Sequence, residues 1–345
     1  MTKLAKRITL LLLGICLISS TVLGVLAAKK ISEMPFGEQV NIGELDKEND
    51  QVGMINFLLI GIDADGTRSD TNMLLSYDGY SDRVNILSFP RDTKVLMNGH
   101  SQKLNAAMGV GLAKAKADMD DAPEEELIRQ VKSLSGLPVH YFVTVDFDGF
   151  KEIIDVLGGV EFNIPYNMNY DDPVQNLHIH LKKGQQHLDG QMAHDFVRFR
   201  QNNGGSAPGE YVMGDEGRIY WQQRFLKALI AQKARPEYFD KLTDIFDVIV
   251  KHVRTNYTMQ DLLKHVDVIQ NLNVNDIESY QLPGDAVYEN GVAWYVQDEA
   301  ATDQLIHDVF LPRSREQWEK EQAEKAAAEQ AALASAQAGT TMQEE

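Results

Sequence analysis

The sequence predicts an α/β layered domain set behind a separate apolar N-terminal segment. Three features carry this. The run Met54–Ile62 (MINFLLIGI) is apolar throughout, as a strand buried on both faces must be. Further strand-like runs alternate with stretches of helical spacing, the pattern of helices laid on a sheet. The chain of 345 residues is 43% hydrophobic, with 25 Gly and 10 Pro. That is enough apolar matter for a packed core and excludes wholesale disorder. The length allows one large domain or two modest ones plus appendages.

The elements follow in order. Residues 1–7 are a short basic stub, and residues 8–28 hold no charged side chain. Twenty-one residues at about 1.5 Å rise span roughly 30 Å, the thickness of a bilayer core. Lys3, Lys6 and Arg7 place the leading end in the cytoplasm. The expectation is a single-pass cell-membrane anchor with the remainder extracellular. A cleaved signal peptide with its site near Ala27–Ala28 is the alternative, but the apolar run exceeds the usual h-region. Residues 29–53 read as a polar stalk and 54–312 as the folded domain. After Met54–Ile62, strands are expected at Asn72–Tyr77 and Arg83–Phe89. Helical spacing starts near Leu104, breaks around Asp118–Pro123 and resumes to Leu134. His140–Val145 is a strand and Phe147–Leu157 a helix, stopped by Gly158-Gly159 in the manner of a helix C-terminus. Val160–Ile164 is a strand. Helices are expected at Gly190–Phe199, Asp215–Ala234, Phe239–Val253 and Met259–Asn271. Strands near Ile277–Leu282 and Val292–Val296 and a helix at Glu299–Phe310 complete the domain. Residues 313–345 are rich in Glu, Gln, Ala and Lys and form a low-complexity tail, helical or disordered.

Charge sorts with topology. The chain total is −18 and residues 1–28 carry +3, which leaves −21 for everything beyond them. So acidic a portion is unsuited to duplex nucleic acid, which needs a basic face. A single Cys excludes a disulfide framework and a Cys-rich metal site.

Against this background, candidate chemistry clusters at strand ends. The loop after the first buried strand contains Asp63, Asp65, Arg68 and Asp70. Carboxylates there suit Mg²⁺, which takes one or two of them together with phosphate oxygens; a solvated turn is the plainer use of the same residues. Position twelve from Asp63 is Leu74, so the loop is no EF-hand. Arg91 and Asp92 follow another apolar strand, and Lys103 precedes a helix. Arg198 and Arg200 stand in FVRFR, and Arg218 and Gln222 lie four apart, on one helix face. Singly, each Arg fits a surface ion pair. Jointly they suit a multiply charged anion, since guanidinium grips phosphate with two donors and keeps its charge. His178 and His180 share a strand face, read as a polar outer face rather than a metal site.

The ordered set GID, RSDTNML, SFPRDT, KLNAA, VDFDGFKEIIDVLGGVEFNIP, GQQHLDGQMAHDFVRFR and DEGRIYWQQRF resembles the LytR-CpsA-Psr (LCP) family over roughly Met54–Leu311. The resemblance implies a three-layer α-β-α sandwich with a central mixed sheet, preceded by one transmembrane helix. It implies a cell-envelope phosphotransferase of the teichoic acid transferase type. Such an enzyme moves an anionic glycopolymer, teichoic acid or capsular polysaccharide, from a polyprenyl pyrophosphate carrier to a peptidoglycan hydroxyl, with Mg²⁺. By motif, Asp63 and Asp70 hold the metal, and Arg91 grips the pyrophosphate as the third catalytic residue. Arg68, Lys103, Arg198, Arg200, Arg218 and Gln222 join Arg91 in binding pyrophosphate. Either Asp63 or Asp70 could take the proton of the attacking hydroxyl. Asp92 and Asp215 are weaker candidates. Trp221 departs from the family pattern, where a basic residue is common, and Phe89 replaces an aliphatic residue. Arg198 and Arg200 fall on one side only if the chain leaves helical geometry there. The rival functions are a non-catalytic envelope scaffold that binds polyprenyl pyrophosphate and a transcriptional attenuator. The acidic exported portion speaks against the second.

Overall fold

The computed structural model describes residues 54–79, 83–117, 122–204, 214–233, 251–258 and 276–311, plus isolated residues at 248, 261, 320, 323 and 324. The expected anchor, the stalk, most of the helices expected at 239–253 and 259–271, and nearly all of the tail lie outside the described residues. Among the described residues no helix is long and apolar enough to cross a membrane.

The sheet begins as a meander of β1 (Met54–Ile62), β2 (Ser69–Asp78) and β3 (Arg83–Ser88). β1 and β2 pair antiparallel from Met54↔Asp78 to Gly61↔Thr71, then shift register so that Ile62 faces Ser69. The expected loop therefore ends sooner than its composition suggests: Asp70 is already a strand residue. A small hairpin follows, β4 (Lys94–Met97) with β5 (His100–Lys103), which the sequence reading missed. Leu104–Ala106 forms a 3₁₀ turn leading into α1 (Ala107–Ala117), and α2 (Glu125–Ser135) resumes after the interruption. Gly111 lets the two helices close, because a Cβ there would run into the backbone of Pro123.

β6 (Tyr141–Val145) enters the sheet parallel to β1, opposite Phe57–Gly61. α3 (Phe147–Val156) is capped by Asp146, whose side chain accepts the Gly149 N–H at 2.6 Å. It ends on Gly158 and Gly159 at φ 73° and 68°, as the sequence predicts. β7 (Val160–Ile164) pairs with β10 (Gly184–Leu188), and β8 (Met168–Asp172) pairs with β9 (Leu177–Leu181). β9 alternates buried and exposed, with His178 and His180 outward, the polar outer face expected. α4 (Gly190–Arg198), α5 (Gly214–Lys233), β11 (Val253–Thr255), β12 (Ile277–Gln281), β13 (Gly284–Glu289) and β14 (Val292–Gln297) follow. The last helix, expected as one piece, divides into α6 (Glu299–Leu305) and a π-helical turn at Ile306–Phe310.

The main sheet is mixed, in the order β11-β6-β1-β2-β3-β12. The apolar run of β1 feeds two cores. Ile55, Phe57 and Leu59 face a core shared with α3, α4 and α5, while Leu58 and Ile60 face one shared with α1, α2 and the C-terminal turn. This is a three-layer α-β-α arrangement, and both-face burial is why β1 shows no alternation. The ends of β1, β3 and β6 and the start of β2 meet along one edge of the sheet, where the candidate residues gather.

Candidate active site

Asp63 organises the loop leaving β1. Its Oδ1 accepts the N–H groups of Thr67 at 3.0 Å and Arg68 at 3.2 Å. The Asp63 N–H donates to the Arg68 carbonyl at 3.0 Å. The loop points Arg68 outward. Its exposed side chain lines a cleft of about 530 Å³ against α1, with Thr67 and Lys114. The described contacts do not bring Arg68 into the cation cluster expected of it.

The cluster is built by three elements. The turn after β3 supplies Arg91, whose Nη1 meets Asp70 Oδ1 at 2.5 Å and whose Nε lies 3.8 Å from Asp215 Oδ1 and 3.9 Å from Asp92 Oδ1. The first turn of α5 supplies Asp215 and Arg218. The segment leaving α4 supplies Arg198 and Arg200, and Phe199 between them is extended, so the chain leaves helical geometry as their spacing requires. Asp215 is the hub: Oδ1 accepts from Arg200 Nη2 at 2.9 Å and from Arg218, and Oδ2 accepts the Arg91 N–H at 3.3 Å. Arg218 also donates to the Asp70 carbonyl at 3.1 Å. Lys103 reaches Asp92 at 3.1 Å. Arg198 lies over the Phe147 ring at 4.6 Å and donates to Gln175 Oε1 at 3.0 Å.

Five cations (Arg91, Arg198, Arg200, Arg218, Lys103) thus meet three carboxylates (Asp70, Asp92, Asp215) in a strongly acidic chain. The donors are left over as well. The Nε atoms of Arg91, Arg200 and Arg218 are buried and have no hydrogen-bond acceptor among the described residues, an arrangement that costs free energy unless something fills it. Burial drives the Arg218 guanidinium, 5% exposed, down to about 10, with Arg200 and Arg91 adding to the effect against the pull of Asp215. It stays charged at neutral pH. Burial works to raise the Asp70 carboxyl, but Arg91 and Arg218 outweigh it and hold the group below its usual range. Burial likewise lowers Arg198, while Asp70 and Asp215 outweigh it at Arg91 and raise that group. Five cations against three carboxylates leave the cluster with surplus positive charge, which suits an anion.

The residues that could hold a metal, as the sequence expects, are Asp63 and Asp70. One oxygen of each is engaged, and the other carries no hydrogen bond among the described residues. Among them no group of three acidic, His or Cys side chains forms a ready cage. Two carboxylates fit a hard cation that completes its shell with phosphate and water.

Gln222 departs from expectation. Buried on α5, it donates to the Val197 carbonyl at 2.9 Å and so ties α5 to the end of α4. Its neighbour Gln223, overlooked by the sequence reading, donates to Ser88 Oγ at 2.8 Å and the Tyr280 carbonyl at 2.9 Å. Gln175 and Phe147, which hold Arg198, were also missed, since nothing in their spacing marks them. Trp221 packs edge-on against Phe196 and Tyr166. Phe89, 2% exposed, fills the core beside α1 and α2.

Comparison with known proteins bears on the family and the fold. Residues 24–309 match the model of the LytR_cpsA_psr family. A Bacillus cereus protein named polyisoprenyl-teichoic acid--peptidoglycan teichoic acid transferase TagU is 30% identical over 257 residues, 73% of this chain and 76% of that one. The TagV transferase of Bacillus subtilis is 27% identical over 226 residues, 64% of this chain but only 53% of its own length. Among solved structures, B. subtilis TagV superposes with a TM-score of 0.59 at 26% identity, covering 74% of this chain and 95% of that one. TagT bound to LI-WTA superposes with a TM-score of 0.55 at 25% identity, covering 81% and 99%.

Proposed function

Because the chain belongs to the LytR-CpsA-Psr family, we propose that it is a membrane-anchored phosphotransferase of the cell envelope. It takes an anionic glycopolymer of the teichoic acid or capsular polysaccharide class from a polyprenyl pyrophosphate carrier and attaches it to a peptidoglycan hydroxyl. The transferase names of TagU and TagV support the reaction class. The observation that carries the substrate is the set of three buried, unfilled guanidinium donors around Asp70 and Asp215.

Phosphoryl transfer needs little covalent help from protein; positioning and neutralisation of the phosphate oxygens dominate. Arg91, Arg200 and Arg218 offer their free Nε donors to those oxygens from three elements, so the pyrophosphate is oriented as well as bound. Arg198 adds charge from the edge. Asp215 holds three arginines in register and keeps them from splaying apart. Asp63 and Asp70 would hold Mg²⁺, which supplies a Lewis acid against the phosphate charge. Asp70, held below its usual range by Arg91 and Arg218, is a weak proton acceptor and suits the role of ligand.

The test is transfer from a polyprenyl pyrophosphate-linked glycan to peptidoglycan by the full chain with Mg²⁺. Arg91→Ala is expected to cut the rate by at least about 100-fold, the scale of a lost transition-state donor. Undiminished transfer by that variant refutes the site.

A further inference from the structure

The β8–β9 hairpin reaches the cluster through its tip. Gln175 at its tip accepts from Arg198 Nη2 at 3.0 Å. The tip is itself held: Asp172 Oδ1 accepts the N–H groups of Val174 at 3.0 Å and Gln175 at 3.2 Å, and Oδ2 accepts Gln175 Nε2 at 2.5 Å. With its amide nitrogen committed to Asp172, Gln175 can present only its carbonyl oxygen to Arg198. The base of the hairpin is clasped to the same chain segment. Asn202 Oδ1 accepts the Asn169 N–H at 2.7 Å, and Asn203 exchanges hydrogen bonds with the Asp171 backbone at 2.6 and 3.0 Å. The stretch that carries Arg198 and Arg200 is thus fastened to β8 just beyond them.

The choice of an amide matters. Arg91, Arg200 and Arg218 each have a carboxylate within 4 Å. Arg198 has none among the described residues; a neutral oxygen orients it and the Phe147 ring supports its plane. An amide fixes a guanidinium without cancelling its charge, whereas a carboxylate would do both.

We propose that Gln175 is a positioning residue that holds Arg198 at the site without a carboxylate paired directly to it, so that the cluster prefers a pyrophosphate to a single phosphate. This rests on the anion site proposed above. The test is calorimetric titration of the full chain with inorganic pyrophosphate and with orthophosphate, each with Mg²⁺, for wild type, Gln175→Glu, Gln175→Ala, Arg198→Ala and the Gln175→Glu/Arg198→Ala double variant. Gln175→Glu is expected to weaken pyrophosphate about tenfold, the scale of a charged hydrogen bond, and to shrink the preference over orthophosphate. Gln175→Ala, which frees Arg198 without neutralising it, is expected to weaken pyrophosphate about threefold on the scale of a neutral bond. Once Arg198 is gone, Gln175→Glu should change affinity by less than about twofold, because contacts coupled through one residue do not add. Thermal melts report folding, and Gln175→Ala carries the test if the Glu variant does not fold. The proposal is overturned if Gln175→Glu keeps the wild-type preference, or if its effect is as large without Arg198. Failure of the underlying site looks different: wild type binds neither anion, or Arg218→Ala binds pyrophosphate as tightly as wild type.

Discussion

Two buried charge clusters in this molecule are unbalanced in opposite senses. At the start of α2, Glu124 and Glu126 have side chains only 1% exposed, and their cations sit half in water. Arg254 meets both oxygens of Glu124 at 3.2 Å, with Thr144 adding a donor at 3.1 Å. Glu126 takes Lys114, Arg129 and Gln130. Each buried anion is fully answered, and the surplus positive charge is solvated. At the sheet edge the reverse holds: Arg218 is buried, and three guanidinium donors have no acceptor among the described residues. The first arrangement is closed and holds the fold. The second leaves donors unanswered among the described residues, which is the capacity the proposed anion would use. A charge cluster is recognised as a binding site by what it leaves unfilled, not by how many charges it collects.

The contrast breaks most sharply under paired deletions. Arg218→Ala should cost transfer about 100-fold or more yet leave the denaturant midpoint unchanged or raised, because the cluster carries surplus positive charge and Asp215 keeps Arg200 and Arg91 as partners. Arg254→Ala should do the opposite. It strands the buried Glu124 carboxylate and costs about 3 kcal/mol, read by urea unfolding, while folded protein retains wild-type anion affinity. If both variants lose stability alike, the distinction fails.

The next effect is ligand-linked stability. Inorganic pyrophosphate with Mg²⁺, at a hundredfold excess over its Kd, should stabilise wild type by about 2.7 kcal/mol and leave Arg218→Ala unmoved in a thermal melt. A pH effect follows from Asp70, whose folded pKa lies below the ordinary 3.8. Its contribution is complete above about pH 3.8 and disappears as pH falls through the lower folded value. Acid unfolding of Asp70→Asn should lack that component. The smallest effect belongs to Arg68→Ala, outside the cluster and exposed, with transfer within about twofold of wild type, as for surface changes generally.

Much of this was legible in the sequence. Asp70 and Arg91 stand at the ends of strands whose apolar runs are unmistakable, and the ordered set of motifs, not position alone, singles them out. Arg198 and Arg200 required a helix to stop between them, and it stops at Arg198. Other parts were hidden for physical reasons. Asp215 ranks in the sequence only as a weaker candidate, in the first turn of a helix; the folded chain makes it the hub of three arginines. Arg68 shares a loop with Asp63, but the turn that Asp63 enforces points it outward. Gln222 shares a helix face with Arg218, yet its amide is used by the Val197 carbonyl. The hairpins β4–β5, β8–β9 and β7–β10 were partly or wholly missed because their polar residues obscure the two-residue alternation. Two of them nonetheless flank the site: β5 delivers Lys103, and the β8–β9 tip holds Arg198.

The most direct measurement is calorimetric binding of inorganic pyrophosphate, with Mg²⁺, to the full chain in three forms. Wild type and Arg254→Ala should bind with the same Kd, and Arg218→Ala should show no measurable heat at the same concentrations. Equal binding by Arg218→Ala would contradict the claim that the open cluster is the anion site.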